Sequence, residues 1–495
     1  MNIAIVGFGI SGASILKTLT ESDKMNQIEA IHLFEKSQNL ATGYPYQEDH
    51  LSLLMNSYSS RLSLNPDNSD EYLQWLEDNY PQYAKDKFSP RQIFGKYLQA
   101  RYLPALNHDK VTFHQEEVID IDLQPRSKEN DGSLNLPFTF TLTTSQGVLS
   151  QSFDMIFLAL GHPPYADHYD LSDAPGYINN PFPISKITDY IPQHKSVGII
   201  GSGLTGIDIM YYLHKIKHLQ KPITFYIRHE PFTNVKNELY QGPLTLNFDH
   251  EWIENHRQGY QGSIPLKVIW QQIVEDMEAN QINVFDAIQK YQHGSLPEIH
   301  QQLKEVPLDL QKIQRYVGLL TEFLPDLFMA LSPADRQLFN EEYLKLFEHF
   351  RTQLPEVKLK QIIQWMDEGS VKIVSRLTDI HYQDNKFILE NKEGLRFEED
   401  ILVNATGFQM DLSKAGETHP LIKHLYDKEI ITQNPLGGIS VTWPIAHPIS
   451  SRYGQLTQMI ISGFWIFKTQ FGNNNAQMTA KYGQTLAQHI LDTYL

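Results

Sequence analysis

Two short apolar segments of the chain are each followed by a glycine-rich turn and then by a helical pattern. The first segment, residues 2–6, is apolar and β-branched, and helical spacing follows over 13–20. The second segment, residues 196–200, precedes a helical pattern from residue 207 to about residue 214. Short apolar runs bounded by glycine are typical of buried strands. The pattern therefore predicts two strand–turn–helix units of one design.

Further strands are predicted around these two units. Residues 153–161 and 400–408 are apolar runs, and each has a glycine at its end or one position before it. Both runs are predicted to be buried strands. Residues 111–143 favour short strands, and residues 371–395 favour a hairpin with its turn at Asp384-Asn385. The chain is thus predicted to belong to the α/β class.

Between residues 249 and 368 the apolar spacing changes to helical periods. Two roles for this helical insertion stay open: a lid or substrate chamber, or packing support without chemistry. After the insertion, a last strand is predicted to end within 459–475, before a final helix at 476–491. The clearest helical stretches of the insertion are 268–279, 310–323 and 342–350.

The first glycine-rich turn has the pattern G-x-G-x-x-G, with Gly7, Gly9 and Gly12 between a predicted strand and helix. These glycines allow a tight turn, close approach of a pyrophosphate, and close helix–strand packing. The helix start, which includes Ser11, offers unpaired N–H groups to phosphates. Glu35 ends the next predicted strand, where an acid binds a ribose 2′-hydroxyl. This turn is therefore predicted to bind FAD.

The second turn repeats the pattern with Gly201, Gly203 and Gly206, and Thr205 stands within it. Its following strand ends in Arg228 rather than in an acid. A carboxylate there would repel a ribose 2′-phosphate, whereas the arginine fork matches a phosphate. This turn is therefore predicted to bind NADPH. An ordinary exposed arginine at a strand end is the alternative interpretation.

Composition and charge exclude several other classes of protein. The formal charge of −17 disfavours nucleic acid and anionic lipid as partners. The absence of cysteine excludes disulfides, thiolate metal sites and a redox-active dithiol. No apolar run approaches the roughly 20 residues that span a bilayer, so no membrane association and a cytoplasmic location are expected. The zinc-binding pattern H-E-x-x-H does not occur, so no metal site is predicted, and His162-Pro163 is interpreted as a loop histidine. The pattern G-x-S-x-G does not occur either, so no hydrolase is predicted.

Most of the chain resembles bacterial FAD/NAD(P)-binding proteins of largely unassigned activity, which are related to flavin-dependent N-hydroxylating monooxygenases. The resemblance implies an α/β fold with two Rossmann-like dinucleotide-binding domains, for FAD and NADPH, and a helical insertion. It rests on these blocks: Ala41-Thr42-Gly43-Tyr44-Pro45-Tyr46, His50-Leu51, Asn56, Ser63, Asn65-Pro66-Asp67, Tyr72-Leu73-Gln74-Trp75-Leu76, Phe88-Ser89-Pro90-Arg91, Gly95, Tyr97-Leu98, Asp335-Arg336 and His349-Phe350-Arg351.

The resemblance also implies further cofactor contacts. Arg61 lies in the block that, in the N-hydroxylases, supplies a basic residue toward the substrate or nicotinamide, although lysine is usual there; a surface salt bridge is the alternative. In flavoproteins of this kind, the glycines at the ends of the predicted strands 153–161 and 400–408 lie where the backbone approaches the cofactor. These two glycines are Gly161 and Gly407. The other implied contacts are Lys36, Gly43, Tyr44, Thr406, Gly472 and Asn473.

One departure narrows the chemistry. Baeyer–Villiger and related monooxygenases carry F-x-G-x-x-x-H-x-x-x-W before their second glycine turn, and residues 174–182 lack its histidine and tryptophan. A Baeyer–Villiger reaction is therefore disfavoured. N-hydroxylation, oxidation of a thioether or amine, and plain reduction stay open.

Together these observations predict an FAD-dependent oxidoreductase that takes hydride from NADPH. A monooxygenase acting on a small amine or amino-acid-like substrate is the first hypothesis. One alternative is a non-oxygenating NAD(P)H-dependent flavin reductase or dehydrogenase. The other is an FAD-containing binding module that uses the helical insertion as its surface for a partner. No catalytic residue is assigned, and whether the chain forms a homo-oligomer stays open. The predicted parts are 1–165 (FAD domain, first part), 185–248 (NAD(P) domain, first part), 249–369 (helical insertion) and 370–495 (return to the NAD(P) domain and second part of the FAD domain).

Overall fold

The structure is a computed structural model that describes residues 1–126, 136–229, 232–236, 240–472 and 475–495. The strands are β1 (Asn2–Val6), β2 (Ala30–Phe34), β3 (Val111–His114), β4 (Val118–Pro125), β5 (Phe138–Thr144), β6 (Gly147–Phe153), β7 (Met155–Ala159), β8 (Tyr177–Ile178), β9 (Val197–Ile200), β10 (Ile223–Tyr226), β11 (Val235–Lys236), β12 (Leu354–Pro355), β13 (Val371–Val374), β14 (Leu377–Gln383), β15 (Lys386–Asn391), β16 (Arg396–Glu399), β17 (Ile401–Asn404), β18 (Ile449–Ser450), β19 (Gly454–Gln455) and β20 (Met459–Ser462).

The helices lie between and after these strands. They are α1 (Ile10–Thr20), α2 (Glu71–Asn79), α3 (Arg91–Tyr102), α4 (Ile184–Thr188), α5 (Leu204–Lys215), α6 (His250–Gly259), α7 (Leu266–Ala279), α8 (Val284–Tyr291), α9 (Leu296–Glu305), α10 (Leu308–Leu320), α11 (Leu324–Ala330), α12 (Pro333–Leu338), α13 (Leu344–Arg351), α14 (Glu356–Asp367), α15 (Leu412–Ala415), α16 (Pro420–Asp427) and α17 (Ala476–Tyr494). In the described ranges, none of these helices is long and apolar enough to cross a membrane.

Backbone contacts divide the chain into two compact units. The first unit combines Met1–Pro164 with Phe408–Leu495, and the second unit is Tyr165–Gly407. Each unit therefore contains one of the two glycine-rich turns.

The first unit is built on a parallel five-stranded sheet in the order β20-β7-β1-β2-β3. Its central strands β1 and β7 are almost wholly buried, as expected of a parallel sheet covered on both faces. Helix α1 packs against α17, and Gly483 permits the contact because a Cβ there would lie 2.9 Å from the Ser11 carbonyl oxygen. Since the strands are parallel, their carboxyl ends share one edge of the sheet.

The second unit repeats this architecture with a parallel sheet in the order β13-β10-β9-β17-β8. Each unit also carries a three-stranded antiparallel sheet, β4-β5-β6 in the first and β14-β15-β16 in the second. The predicted hairpin turn is confirmed, because Asp384 and Asn385 connect β14 to β15 with φ of 52° and 61°. The predicted α/β class with two Rossmann-like sheets is likewise confirmed.

Some predicted boundaries differ from those of the structure. The helices after the glycine-rich turns begin at Ile10 and Leu204, three residues before the predicted starts at 13 and 207. The reason is that Gly12 and Gly206 interrupt the apolar spacing, although the structure includes both glycines in the first helical turn. Part of the predicted strand segment 111–143, at 127–135, lies outside the described residues.

A buried carboxylate holds the helical insertion together. Asp276 on α7 is fully buried and accepts hydrogen bonds from the Tyr316 hydroxyl (2.8 Å), the Asn247 backbone N–H (3.0 Å) and the Gln272 side chain (3.1 Å). Its charge is thus surrounded by donors, which a buried carboxylate requires. This cluster joins α7 to α10 and to the segment before α6.

Replacement of Asp276 by alanine is expected to lower the free energy of unfolding by about 3 kcal/mol, because it leaves several buried donors unpaired. Urea unfolding of the full chain, followed by tryptophan fluorescence, measures this change. The matched control is Glu275→Ala, one residue earlier on the exposed side of α7, which should change stability by under about 0.5 kcal/mol. Equal effects of the two substitutions would contradict the proposed importance of the cluster.

Candidate functional site

The glycine-rich turn of the first unit is closed by backbone contacts that exclude side chains. Gly7 has φ of +98°, and a Cβ there would lie 2.2 Å from the carbonyl oxygen of Ala159 at the end of β7. A Cβ on Gly12 would lie 2.0 Å from the Gly7 carbonyl oxygen. The turn therefore needs glycine at both positions, for the reasons that the sequence pattern indicated.

The start of helix α1 leaves its backbone donors available. Gly9 is the N-cap residue, no side chain caps the helix, and no acidic residue lies in its first turn, where Ser11 is found. A Cβ on Gly9 would lie 3.4 Å from Cα of Gly43, so the two backbones run close together. Uncapped N–H groups at the start of a helix whose first turn has no acidic residue fit an anionic pyrophosphate.

Glu35 lies beside this turn at the end of β2. One carboxylate oxygen accepts a hydrogen bond from the Phe8 N–H (2.9 Å), and the other accepts one from the Ser37 N–H (2.8 Å). These bonds fix the carboxylate, while each oxygen keeps a lone pair for a ribose hydroxyl. Lys36, in contrast, is exposed and its ammonium forms an ion pair with Glu117 at 2.7 Å.

The predicted contacts Gly43, Tyr44 and Arg61 also belong to the first unit. Gly43 has φ of +56° and precedes Tyr44, whose ring centroid lies 6.2 Å from that of His162. Arg61 is exposed at the end of a short 3-10 helix, and its backbone carbonyl accepts a hydrogen bond from the Gln477 side chain. The Arg61 backbone is thus tied to the start of α17.

Two further predicted contacts of this unit are glycines with positive φ. Gly161 comes two residues after β7, has φ of +68°, and has open space where a Cβ would stand. Gly472 is buried with φ of +81°. Asn473, the other predicted contact of this segment, lies outside the described residues.

The second unit reproduces the geometry of the glycine-rich turn. Gly201 has φ of +98°, and its Cβ would lie 2.8 Å from the Ala405 carbonyl oxygen. A Cβ on Gly206 would lie 2.3 Å from the Gly201 carbonyl oxygen, whereas Gly203 has no atom within 4 Å of that position. Gly203 is the N-cap of α5, which has no side-chain cap and no acidic residue in the first turn that contains Thr205. This helix start is also suited to an anion.

The closing strand of the second sheet, β17, ends beside this turn. The Thr406 hydroxyl and N–H both donate to the Asn404 side-chain oxygen, at 2.7 Å and 3.0 Å. The Asn404 amide donates in turn to the Ala166 carbonyl (2.8 Å). Gly407 follows with φ of +101° and open space at the Cβ position. The polar residues thus hold this backbone in place.

Arg228 follows β10 at the carboxyl edge of the second sheet and is exposed. The adjoining backbone is fixed by two hydrogen bonds of 2.9 Å, from the Leu377 N–H to Ile227 and from the Lys392 N–H to Arg376. The Arg376 side chain is paired with Glu393. The end of β10, the start of β14 and the turn after β15 therefore meet at this edge.

Several positive charges act on His229, the residue that follows Arg228. Burial, followed by the charges of Lys345, Arg228 and Lys392, lowers the pKa of His229 from its ordinary value. Within the described part of the chain, Arg228, Lys345 and Lys392 form no ion pair with a carboxylate. We call these three residues with His229 the cationic cluster. Its uncompensated positive charge suits a phosphate.

Sequence reasoning missed two features. Lys345 and Lys392 lie far along the chain from Arg228, and no local pattern marks them. His162 is not a solvated loop residue: burial lowers its pKa to about 4, and its ring stacks on Phe464 with centroids 5.4 Å apart. Its place directly after a strand-ending glycine was the signal that would have indicated it. Across the described ranges, no group of three or more metal-binding side chains is found.

We call each glycine-rich turn, with the helix start that follows it, a cradle. The fold and the two cradles define a protein with two Rossmann-like sheets, each built to receive a dinucleotide. Residues 4–163 match the model of a protein family described as FAD-NAD(P)-binding, which confirms the predicted resemblance for that part of the chain. No curated protein matches the chain.

Solved structures share the fold over nearly the whole chain. The cadaverine monooxygenase DfoA of Erwinia amylovora, bound to FAD, is 11% identical, with 99% of this chain and 94% of that chain covered and a TM-score of 0.58. The ornithine N-hydroxylase KtzI of Kutzneria sp. 744 is 14% identical, with 99% and 98% covered and a TM-score of 0.55. The bacillithiol disulfide reductase Bdr of Staphylococcus aureus is 12% identical, with 100% and 99% covered and a TM-score of 0.50. At these identities the likeness shows a common fold.

Proposed function

We propose that this chain is an FAD-dependent oxidoreductase that takes hydride from NADPH and acts as a monooxygenase on a small amine or amino-acid-like metabolite. The observation that carries the proposal is the duplicated glycine cradle, with a fixed carboxylate at one sheet edge and a cationic cluster at the other. Two cradles indicate two dinucleotides, and the different charges beside them indicate which dinucleotide each one binds.

FAD is assigned to the first unit. Its adenosine ribose carries a free 2′-hydroxyl, which can donate to the Glu35 carboxylate. Gly7, Gly9 and Gly12 with the start of α1 would hold its pyrophosphate. A phosphate on that ribose would meet the negative charge of Glu35, so NADPH is disfavoured in this unit.

NADPH is assigned to the second unit. Gly201, Gly203 and Gly206 with the start of α5 would hold its pyrophosphate. The cationic cluster would receive the 2′-phosphate, and Arg228 offers it a fork of donors. The same cluster offers no acceptor carboxylate for the 2′-hydroxyl of NADH.

The flavin, when bound, would supply the redox chemistry, and the residues of the chain would orient it and exclude water. The sequence contains no cysteine, so no thiol of this chain can take part. Support for a small amine as substrate comes from the shared fold with a cadaverine monooxygenase and an ornithine N-hydroxylase. Support for a reductase without oxygen chemistry comes from the shared fold with a disulfide reductase.

Anaerobic stopped-flow mixing of the FAD-loaded protein with NADPH or NADH tests the proposal. We expect NADPH to bleach the visible flavin absorption at least about tenfold faster than NADH. Oxygen is then added with cadaverine, ornithine or lysine, and oxygen uptake and hydroxylated product are measured. Reduction without product formation from any amine would favour the reductase. No bleaching with either nucleotide would favour a binding module and contradict the proposal.

A further inference from the structure

His162 lies at the edge of the first unit's sheet where ligands are expected. It comes directly after Gly161, just beyond the carboxyl end of β7, and the Gly161 carbonyl accepts a hydrogen bond from the Phe464 N–H at 2.9 Å. In open parallel sheets, ligands bind outside the carboxyl ends of the strands. Gly7 and Glu35 occupy the same edge of this sheet.

His162 belongs to a cluster of half-buried rings, which we call the aromatic wall. The ring centroid of His162 lies 4.8 Å from that of Phe408 and 5.4 Å from that of Phe464, and Phe464 stacks on Phe467 at 4.7 Å. Tyr44 completes the wall beside His162. Since each of these residues is only partly buried, the wall can contact a planar aromatic ligand.

His162 is the member of this wall whose ring carries two nitrogen atoms. Burial lowers its pKa to about 4, so near neutral pH the ring has one N–H donor and one acceptor nitrogen. Among the described residues, His162 makes ring contacts and no hydrogen bond. The ring nitrogens are not among the fully buried unpaired polar atoms of the described residues, so they stay accessible to a hydrogen-bonding ligand.

We infer that His162 hydrogen-bonds a polar edge of the isoalloxazine ring of FAD, with the aromatic wall flanking that ring. This inference rests on the proposed binding of FAD to the first unit. His162 is thereby assigned as a cofactor contact that positions the flavin and modifies its electronic environment. A histidine that only fills space among aromatic rings is the competing interpretation.

Two substitutions separate these interpretations. His162→Phe keeps an aromatic ring and removes both nitrogens, whereas His162→Asn removes the ring and keeps a donor and an acceptor. We expect His162→Phe to raise the FAD dissociation constant about fivefold and to shift the visible flavin absorption band. We expect the band of His162→Asn to lie closer to that of the wild type. Flavin fluorescence titration and absorption spectra of the loaded proteins measure both quantities without turnover.

The control is His447→Phe, because the buried His447 imidazole already has a partner in the Met459 carbonyl at 3.2 Å. The substitution His447→Phe should leave the visible flavin absorption band unchanged. If His162→Phe matches the wild type while His162→Asn is shifted, packing alone explains His162 and the inference fails. If His162→Phe does not fold, His162→Leu replaces it under the same criterion. A wild-type protein that binds no FAD would instead overturn the proposed function itself.

Discussion

Gly12→Ala is expected to weaken FAD binding about a hundredfold, because the added methyl group would stand 2.0 Å from the Gly7 carbonyl oxygen. Such an overlap with backbone cannot be relieved by rotating a side chain. The turn must open, and the N–H groups at the start of α1 then lose their common direction toward a pyrophosphate. The ratio of flavin to protein absorbance after purification, and a fluorescence titration with FAD, measure the loss.

The second cradle provides the matched variant for this experiment. In Gly206→Ala the new Cβ would lie 2.3 Å from the Gly201 carbonyl oxygen, so the same kind of overlap arises in the other unit. We expect this protein to retain FAD but to lose reduction by NADPH. Gly318→Ala on α10, where no atom lies within 4 Å of the Cβ position, controls for alanine itself. Loss of FAD in Gly206→Ala with retention in Gly12→Ala would reverse the assignment of the two cofactors.

Arg228→Glu is expected to lower kcat/KM for NADPH about a hundredfold and that for NADH less than about threefold. If the proposed binding is right, the substitution would remove charged hydrogen bonds to the 2′-phosphate, each worth roughly 1.5–3 kcal/mol, and would add a repelling charge. Steady-state flavin reduction with each nucleotide measures the two constants. The structure also predicts a smaller loss of NADPH preference in Lys392→Ala, since Lys392 belongs to the same cationic cluster.

Arg376→Ala is the matched control, because the Arg376 guanidinium is already paired with Glu393 at 2.8 Å. We expect it to change the preference for NADPH over NADH by less than about threefold. An unchanged preference in Arg228→Glu would contradict the binding of a 2′-phosphate at this edge. An equal loss with both nucleotides would show instead that the substitution disrupts the strand end.

The repeated design of the chain has a simple physical origin. In both units a glycine-rich turn follows the central strand of a five-stranded parallel sheet, and the carboxyl ends of its neighbours share that edge. The glycines are required twice because backbone contacts the turn at the same points, through Ala159 in one unit and Ala405 in the other. The two sites then differ mainly in the side chains that end the next strand.

Part of the candidate site was predictable because its signals are local. The order of strand, turn and helix follows from short-range spacing, and Glu35 and Arg228 each end the strand next after a glycine-rich turn. Lys36 shows the limit of such reasoning. It stands beside Glu35 in the sequence, yet its charge is taken up by Glu117, a residue distant along the chain.

By itself, the sequence determined two cradles and the charge beside each, because the glycines of a cradle stand close together and the charged residue ends the next strand along the chain. Only the tertiary structure decided what gathers around them. It made the charges of Lys345 and Lys392 act on His229 beside Arg228, and it placed His162 among rings from distant segments. His162 and Phe464 meet because the parallel strands β7 and β20 align their carboxyl ends at one edge. Lys345 on α13 and Lys392 after β15 are placed by tertiary packing, which local spacing does not show.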